Sequence, residues 1–253
     1  MIRIVSFAIA AWLALAAPSH AADIKVISAG AVRGLIGGMI ADYAQQTGHK
    51  FDFKVGTTGQ LRAIIASGEP ADLIIASGTL MGELESSGKM RPGSRADLGR
   101  VGIGVAVREG AGAPDLSTPE AFKQALIGAR SVAYTDPREG GTSGIYLIGV
   151  LERFGIADVV TRKAVLTNGG RAAVEKVAQG EAEIAVTLIS EIVPVKGAKL
   201  AGPVPPAVQL YTVYAAAIPA SSTDPAAAQA FIAALTGPAL AARWQAAGFE
   251  PPK

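Results

Sequence analysis

Four short turns in this chain share one chemistry. They are Ser28-Ala29-Gly30-Ala31, Gly56-Thr57-Thr58-Gly59, Gly140-Gly141-Thr142-Ser143-Gly144 and Asn168-Gly169-Gly170-Arg171. Each joins a β-rich run to the start of a helical pattern. At a helix start the first backbone N–H groups lack intrahelical partners, and the dipole is positive. Glycine lets an anion approach that backbone closely, and Thr or Ser adds a hydroxyl donor. Arginines accompany the turns. Arg33, Arg62 and Arg171 fall in first helical turns, and Arg138 precedes Gly140. A cation there opposes the dipole, whereas arginine suits bidentate recognition of carboxylates. Taken singly, each turn also fits a plain turn with an N-cap, and each arginine an ordinary solvated charge. Four turns at equivalent places in two halves of the chain point to one cleft enclosing a small anion.

Composition removes most other chemistry. The 253 residues include no cysteine and two histidines, His20 and His49. Thiolate nucleophiles, disulfides, Cys-held zinc and iron–sulfur clusters are excluded. A histidine metal site or a Ser-His-Asp triad would rest on His49 alone, which follows a helix away from the turns and reads as a surface residue. The 23 basic against 21 acidic side chains leave a net charge of +2, without the clustered basic footprint of a nucleic-acid binder. Ser86-Ser87-Gly88-Lys89 has Ser-x-x-Lys spacing but lacks the companion motifs and sits at a helix end. Gly141-Thr142-Ser143-Gly144 does not make the nucleophile elbow, and there is no Walker loop or Gly-x-Gly-x-x-Gly. Glu139 reads as solvated. The expectation is a binding protein, not an enzyme, with no catalytic residue, no metal and no cofactor.

The elements that must hold these turns alternate. Runs at 24–28, 51–55 and 72–76 are strands, separated by helical stripes through Leu35, Met39, Ile40 and Tyr43 and through Leu61, Ile64 and Ile65. A second set has strands at 131–134, 163–166 and 184–187, with helices after Gly144 and over 171–179. Thr118 and Pro119 mark another helix start. Two such βαβαβ units predict two lobes built on parallel sheets. Long strands at 101–107 and 210–218 bracket the second unit and are natural crossings between the lobes. The expected division is lobe 1 over 23–104 plus 212–253 and lobe 2 over 105–211. Half the residues are hydrophobic and 17% charged, enough for a large core.

Residues 1–22 read as an export signal. Arg3 is followed by the uncharged apolar run Ile4–Ala17, then Pro18 and small residues, with cleavage expected after Ala21 or Ala22. The apolar run is shorter than the ~20 residues of a membrane span. Without a cysteine for lipid attachment, the protein is expected to diffuse freely in a periplasm as a monomer.

Several segments then carry a resemblance. Val26-Ile27-Ser28-Ala29-Gly30-Ala31, Gly59-Gln60-Leu61, Ser67-Gly68-Glu69-Pro70-Ala71-Asp72-Leu73 with Ala76-Ser77, Asp136-Pro137, Gly144-Ile145-Tyr146 and Gly248-Phe249 resemble the periplasmic molybdate-binding proteins of ABC importers. The resemblance implies a type II periplasmic-binding-protein fold. Each lobe would be a mixed, mostly parallel sheet flanked by helices, and two hinge strands would join the lobes. It also implies delivery of the bound oxyanion to a membrane permease. The family's first binding serine falls on Ala31, its second hydroxyl on Thr58, its backbone donors on Ser143 and Gly170, and its tyrosine hydroxyl on Leu188. Two side-chain donors are thus absent. The expected ligand-binding set is Gly30, Ala31, Arg33, Thr57, Thr58, Gly59, Arg138, Thr142, Ser143, Gly170, Arg171 and Leu188. Beside a molybdate- or tungstate-like oxyanion, the alternatives are an organic carboxylate, and a sensor instead of a transport component.

Overall fold

In the computed structural model, residues 21–252 are described. The export signal expected over residues 1–22 therefore lies almost wholly outside the described residues, as does His20.

The first lobe starts with β1 (Asp23–Ala29), α1 (Gly30–Thr47), β2 (Lys50–Gly56), α2 (Thr58–Ala66), β3 (Leu73–Ser77) and α3 (Gly78–Ser86). β1 lies between β2 and β3 and is parallel to both. β3 is buried at every position and reads Leu-Ile-Ile-Ala-Ser, as a central strand covered on both faces should. Ser86 and Ser87 bond back to carbonyls of α3, so the Ser-x-x-Lys segment is a helix end.

β4 (Ala96–Arg108) then runs through both lobes. Ala96–Gly102 pairs antiparallel with β9 (Tyr211–Ala217), whereas Ile103–Val107 pairs with β7 (Ile184–Leu188). The second lobe adds α4 (Pro119–Gly128), β5 (Val132–Thr135), α5 (Thr142–Arg153), α6 (Ala157–Thr161), β6 (Ala164–Thr167), α7 (Gly170–Gln179), α8 (Ile189–Ile192) and β8 (Ala198–Pro203). β7, β5 and β6 are mutually parallel, and β8 covers the outer part of β4. The return crossing enters β9 through Gln209. Its side-chain amide accepts from the Ile103 N–H (2.7 Å) and donates to the Ile103 carbonyl (3.0 Å), tying both crossings together. α9 (Pro225–Thr236) and α10 (Ala241–Ala246) finish on lobe 1.

The Gly-x-Pro-Ala-Asp-Leu segment has a structural reason. Asp72 is buried, and its Oδ2 accepts from the Lys25 N–H. Its Oδ1 accepts from the Ser222 hydroxyl and from the Thr223 and Asp224 N–H groups. It fastens the entry of β3 to β1 and to the start of α9. His49 is half-buried: Nδ1 accepts from the Ala22 N–H at 2.9 Å, and the ring stacks on Tyr43. It supports the start of β1.

Candidate functional site

The carboxyl ends of β1, β2, β5, β6 and β7 face one cleft of about 320 Å³ between the lobes. This is where open α/β sheets bind ligands. Among the helices of nine or more residues, capping separates those that face the cleft from the others. α3, α4 and α9 start on Ser77, Thr118 and Asp224, each accepting from its own helix's first turn. α1, α5 and α7 start on Ala29, Gly141 and Gly169 with no side-chain cap, so no side chain of their own N-cap residue occupies those first N–H groups. α2 is the exception. Thr57 and Gln60 form a capping box there, and both also reach the other lobe.

Of the expected set, Gly30, Ala31, Arg33, Thr57, Thr58, Thr142, Ser143, Gly170, Arg171 and Leu188 line the cleft. Arg33 comes from lobe 1 and Arg171 from lobe 2. Arg171 pairs with Glu175 at 3.0 Å on its own helix, and its side chain stays 49% exposed. Gly59 and Arg138 do not line the cleft. Arg138 is 83% exposed and folds back on Asp136, 2.5 Å away. That contact, through hydrogen bonds and charge, holds the Asp136 carboxyl below its ordinary range. Arg62 lies outside as well, forked onto Glu83.

Gly59 instead makes the contact between the lobes. Its N–H donates to the Gly140 carbonyl at 3.1 Å. The Thr57 hydroxyl donates to the Glu139 carbonyl, the Gln60 amide donates to Glu139 Oε2 at 2.8 Å, and the Thr58 and Thr142 hydroxyls lie 3.4 Å apart. Glu139, read from sequence as solvated, thus belongs to a clasp that closes the cleft mouth. Gly140 has φ of +66°, a left-handed conformation that favours glycine.

Sequence reasoning missed the group with the most chemistry. Glu191, on α8, is buried and lines the cleft. Its Oε2 accepts from the Thr187 hydroxyl at 2.6 Å, and Thr187 in turn lies 3.2 Å from the Ser143 hydroxyl. Burial raises the Glu191 pKa above the ordinary carboxylate value. The Thr187 hydroxyl and the N–H groups of Arg171, Gly170 and Leu188 oppose that rise without cancelling it. The Gly170 N–H expected to face a ligand thus has a carboxyl of the protein beside it. Gly170 is required here: a Cβ would fall 1.9 Å from Glu191 Oε2 and 2.0 Å from Thr187 Oγ1. Tyr214, also lining the cleft, has its hydroxyl pKa raised by burial and then by the Glu191 charge. The cleft is therefore not bare of acid–base groups, as the sequence suggested. The available signal was a lone acid in the apolar stretch just beyond the buried strand β7.

Two α/β lobes hinged at β4 and Gln209, with uncapped helix starts converging on the cleft between them, define a solute-binding protein. Over residues 24–250 the chain matches the family of bacterial extracellular solute-binding proteins, and it belongs to that family. A Pseudomonas protein named aconitate isomerase is 33% identical over 259 residues, covering 98% of this chain and 97% of the relative. The periplasmic molybdate-binding protein of Azotobacter vinelandii superposes with a TM-score of 0.75 at 25% identity, over 91% of this chain and 100% of that one. The sulfate-binding protein of Mycobacterium tuberculosis shares the fold, with a TM-score of 0.70 at 18% identity over 91% and 87% of the two chains.

Proposed function

We propose that this protein binds a small organic polycarboxylate in the periplasm, with lobes 23–104 plus 212–253 and 105–211 closing on it. One observation carries the reading: Arg33 and Arg171 approach a single cleft from opposite lobes. Two separated guanidinium groups suit a ligand with at least two carboxylates, each met by a planar fork. The rest of the lining agrees. Ala31 and Leu188 give apolar wall where a tetrahedral oxyanion needs donors, and about 320 Å³ lies at the low end of the ~300–1,000 Å³ typical of organic-ligand sites. Delivery to an ABC permease is the role that the family and the molybdate- and sulfate-binding neighbours favour.

A thermal-shift and calorimetry series tests the reading, using cis- and trans-aconitate, citrate, succinate, molybdate and sulfate. A ligand at 100 times its Kd stabilises the folded state by about 2.7 kcal/mol. Polycarboxylates are expected to raise Tm, and molybdate and sulfate to leave it unchanged; the reverse order overturns the reading. Arg171→Ala is expected to weaken polycarboxylate binding roughly 10- to 100-fold, the loss of one charge-assisted hydrogen-bonded pair. Unchanged affinity in that variant would remove the two-arginine clamp.

A second reading is that the protein converts its ligand instead of handing it on. The acid–base group Glu191 in the cleft favours it, as does the name of the Pseudomonas relative. Turnover of an added polycarboxylate by purified protein separates the two readings.

A further inference from the structure

We propose that Glu191 is a catalytic acid–base residue of this cleft, with Thr187 and Ser143 as its hydroxyl relay, and that together they move a proton between two carbons of a bound unsaturated polycarboxylate. The inference rests on the polycarboxylate reading above.

The geometry comes first. Glu191 is a side-chain acid buried at the cleft floor, and it has two differently placed oxygens. Oε2 is held by the Thr187 hydroxyl at 2.6 Å, which fixes the carboxyl plane. Oε1 lies toward the opposite lobe, 3.8 Å from where a Cβ on Gly30 would stand. From Oε2 the contacts continue through Thr187 to the Ser143 hydroxyl at 3.2 Å, and Ser143 lines the same cleft at the start of α5. One acid therefore reaches the ligand space by two routes, directly and through two hydroxyls. Whenever that carboxyl is ionised its charge repels a bound anion, so holding the ligand alone is a poor reason to bury it there. A proton-transfer site needs such a group, held where burial raises its proton affinity above that of an ordinary carboxylate.

The chemistry balances without a cofactor. Ionised Glu191 takes a proton from a methylene carbon lying between a carboxylate and a carbon–carbon double bond. The C–H electron pair becomes the new double bond, while the former π pair takes a proton at its far carbon. That proton comes from Glu191 directly, or from Ser143 as Thr187 refills Ser143 and Glu191 refills Thr187. Glu191 ends ionised, both hydroxyls are intact, and nothing is oxidised or reduced. The arginines hold the ligand carboxylates and stabilise the negative charge that spreads onto them.

The test incubates the full-length protein with trans-aconitate or cis-aconitate in D2O. Isomerisation and deuterium entry at carbon are followed by proton NMR, and binding is measured separately by calorimetry. The saturated tricarballylate serves as a ligand without the allylic proton. Wild type is expected to bind all three and to isomerise only the unsaturated pair. Glu191→Gln, equal in size, is expected to bind with affinity within about tenfold of wild type and to lose at least ~100-fold in rate, the usual range for removing a general acid–base group. Glu191→Asp, should the amide variant fold poorly, keeps the acid one methylene further back and is expected to retain partial turnover. Thr187→Val is a positioning change. Its hydroxyl lowers the Glu191 pKa, so its loss should move the pH–rate profile to higher pH, which a purely structural role would not do. The charged and titratable groups around Glu191 in the cleft, Arg33, Arg171, Glu175 and Tyr214, are unchanged in that variant. Tight binding with no isomerisation by wild type overturns the proposal and leaves the receptor. Equal rates in wild type and Glu191→Gln overturn the residue assignment. Failure of every polycarboxylate to bind overturns the reading beneath it.

Discussion

Asp72→Ala is expected to cost about 3–5 kcal/mol of folding stability, a large share of the roughly 5–15 kcal/mol that holds an ordinary domain folded. The carboxylate is 2% exposed and collects hydrogen bonds from Lys25, Ser222, Thr223 and Asp224, residues of two separate segments. Alanine removes the acceptor and strands several N–H and O–H donors together. Urea denaturation of wild type and variant measures the loss; a difference below about 1 kcal/mol would show that water replaces the carboxylate. The pH dependence carries an independent sign. Burial alone would raise the Asp72 pKa, but the N–H groups of Lys25, Asp224 and Thr223 with the Thr223 hydroxyl outweigh it and hold the pKa below its ordinary 3.8. The folded state thus binds this proton more weakly than the unfolded chain. The contribution is full above about 3.8 and is lost as pH falls through the lower folded value. Glu191 has the opposite sign. Its pKa is raised by burial, so its contribution is full below the ordinary 4.5 and lost as pH rises through the higher folded value. Glu191→Gln should therefore flatten the stability decline above pH 4.5, whereas Asp72→Asn should reduce the acid-side decline, to which Asp136 and Glu183 also contribute.

Gly59→Ala is expected to leave the lobes folded and to weaken ligand binding on the order of 10- to 100-fold. In the closed arrangement a methyl on Gly59 would lie 2.8 Å from the Glu139 carbonyl oxygen and 2.9 Å from the Gly140 Cα, both backbone atoms of the other lobe. Backbone cannot rotate away as a side-chain tip can, so closure meets an overpacking cost of about 1–3 kcal/mol. At 1.4 kcal/mol per factor of ten, that is the stated loss in affinity. Within lobe 1 the same substitution sits in α2, where alanine is the better helix former by up to about 1 kcal/mol. Unliganded stability should therefore hold or rise while affinity falls. Calorimetry for affinity and small-angle scattering for closure measure both halves, and unchanged affinity would mean that the Gly59–Gly140 contact is not required for binding.

The strands were legible because their signal is local. β-branched runs at 24–28, 72–76 and 184–187 declare themselves, and Thr118-Pro119 marks a helix start whatever lies around it. β8 was not legible: it reads Ala-Lys-Leu-Ala-Gly-Pro, with little strand propensity, and exists because the outer half of β4 needs an edge partner. The arginines divide for a similar reason. Arg33, Arg62, Arg138 and Arg171 look alike in sequence, but Glu83 and Asp136 draw two of them away from the cleft, while Glu175 pairs with Arg171 at its wall.

By itself, the sequence determined two α/β lobes and four glycine-rich helix starts converging between them, since periodicity, turn residues and strand order act over a few neighbours. Only the tertiary structure decided what the cleft contains. Glu191 faces it because Gly170, on another helix, leaves room for the carboxyl, and because Thr187, one turn earlier in the chain, fixes its orientation. Its raised proton affinity follows from burial, which no stretch of sequence specifies alone. Gly59 and Gly140 likewise read as separate turns until folding places one against the other.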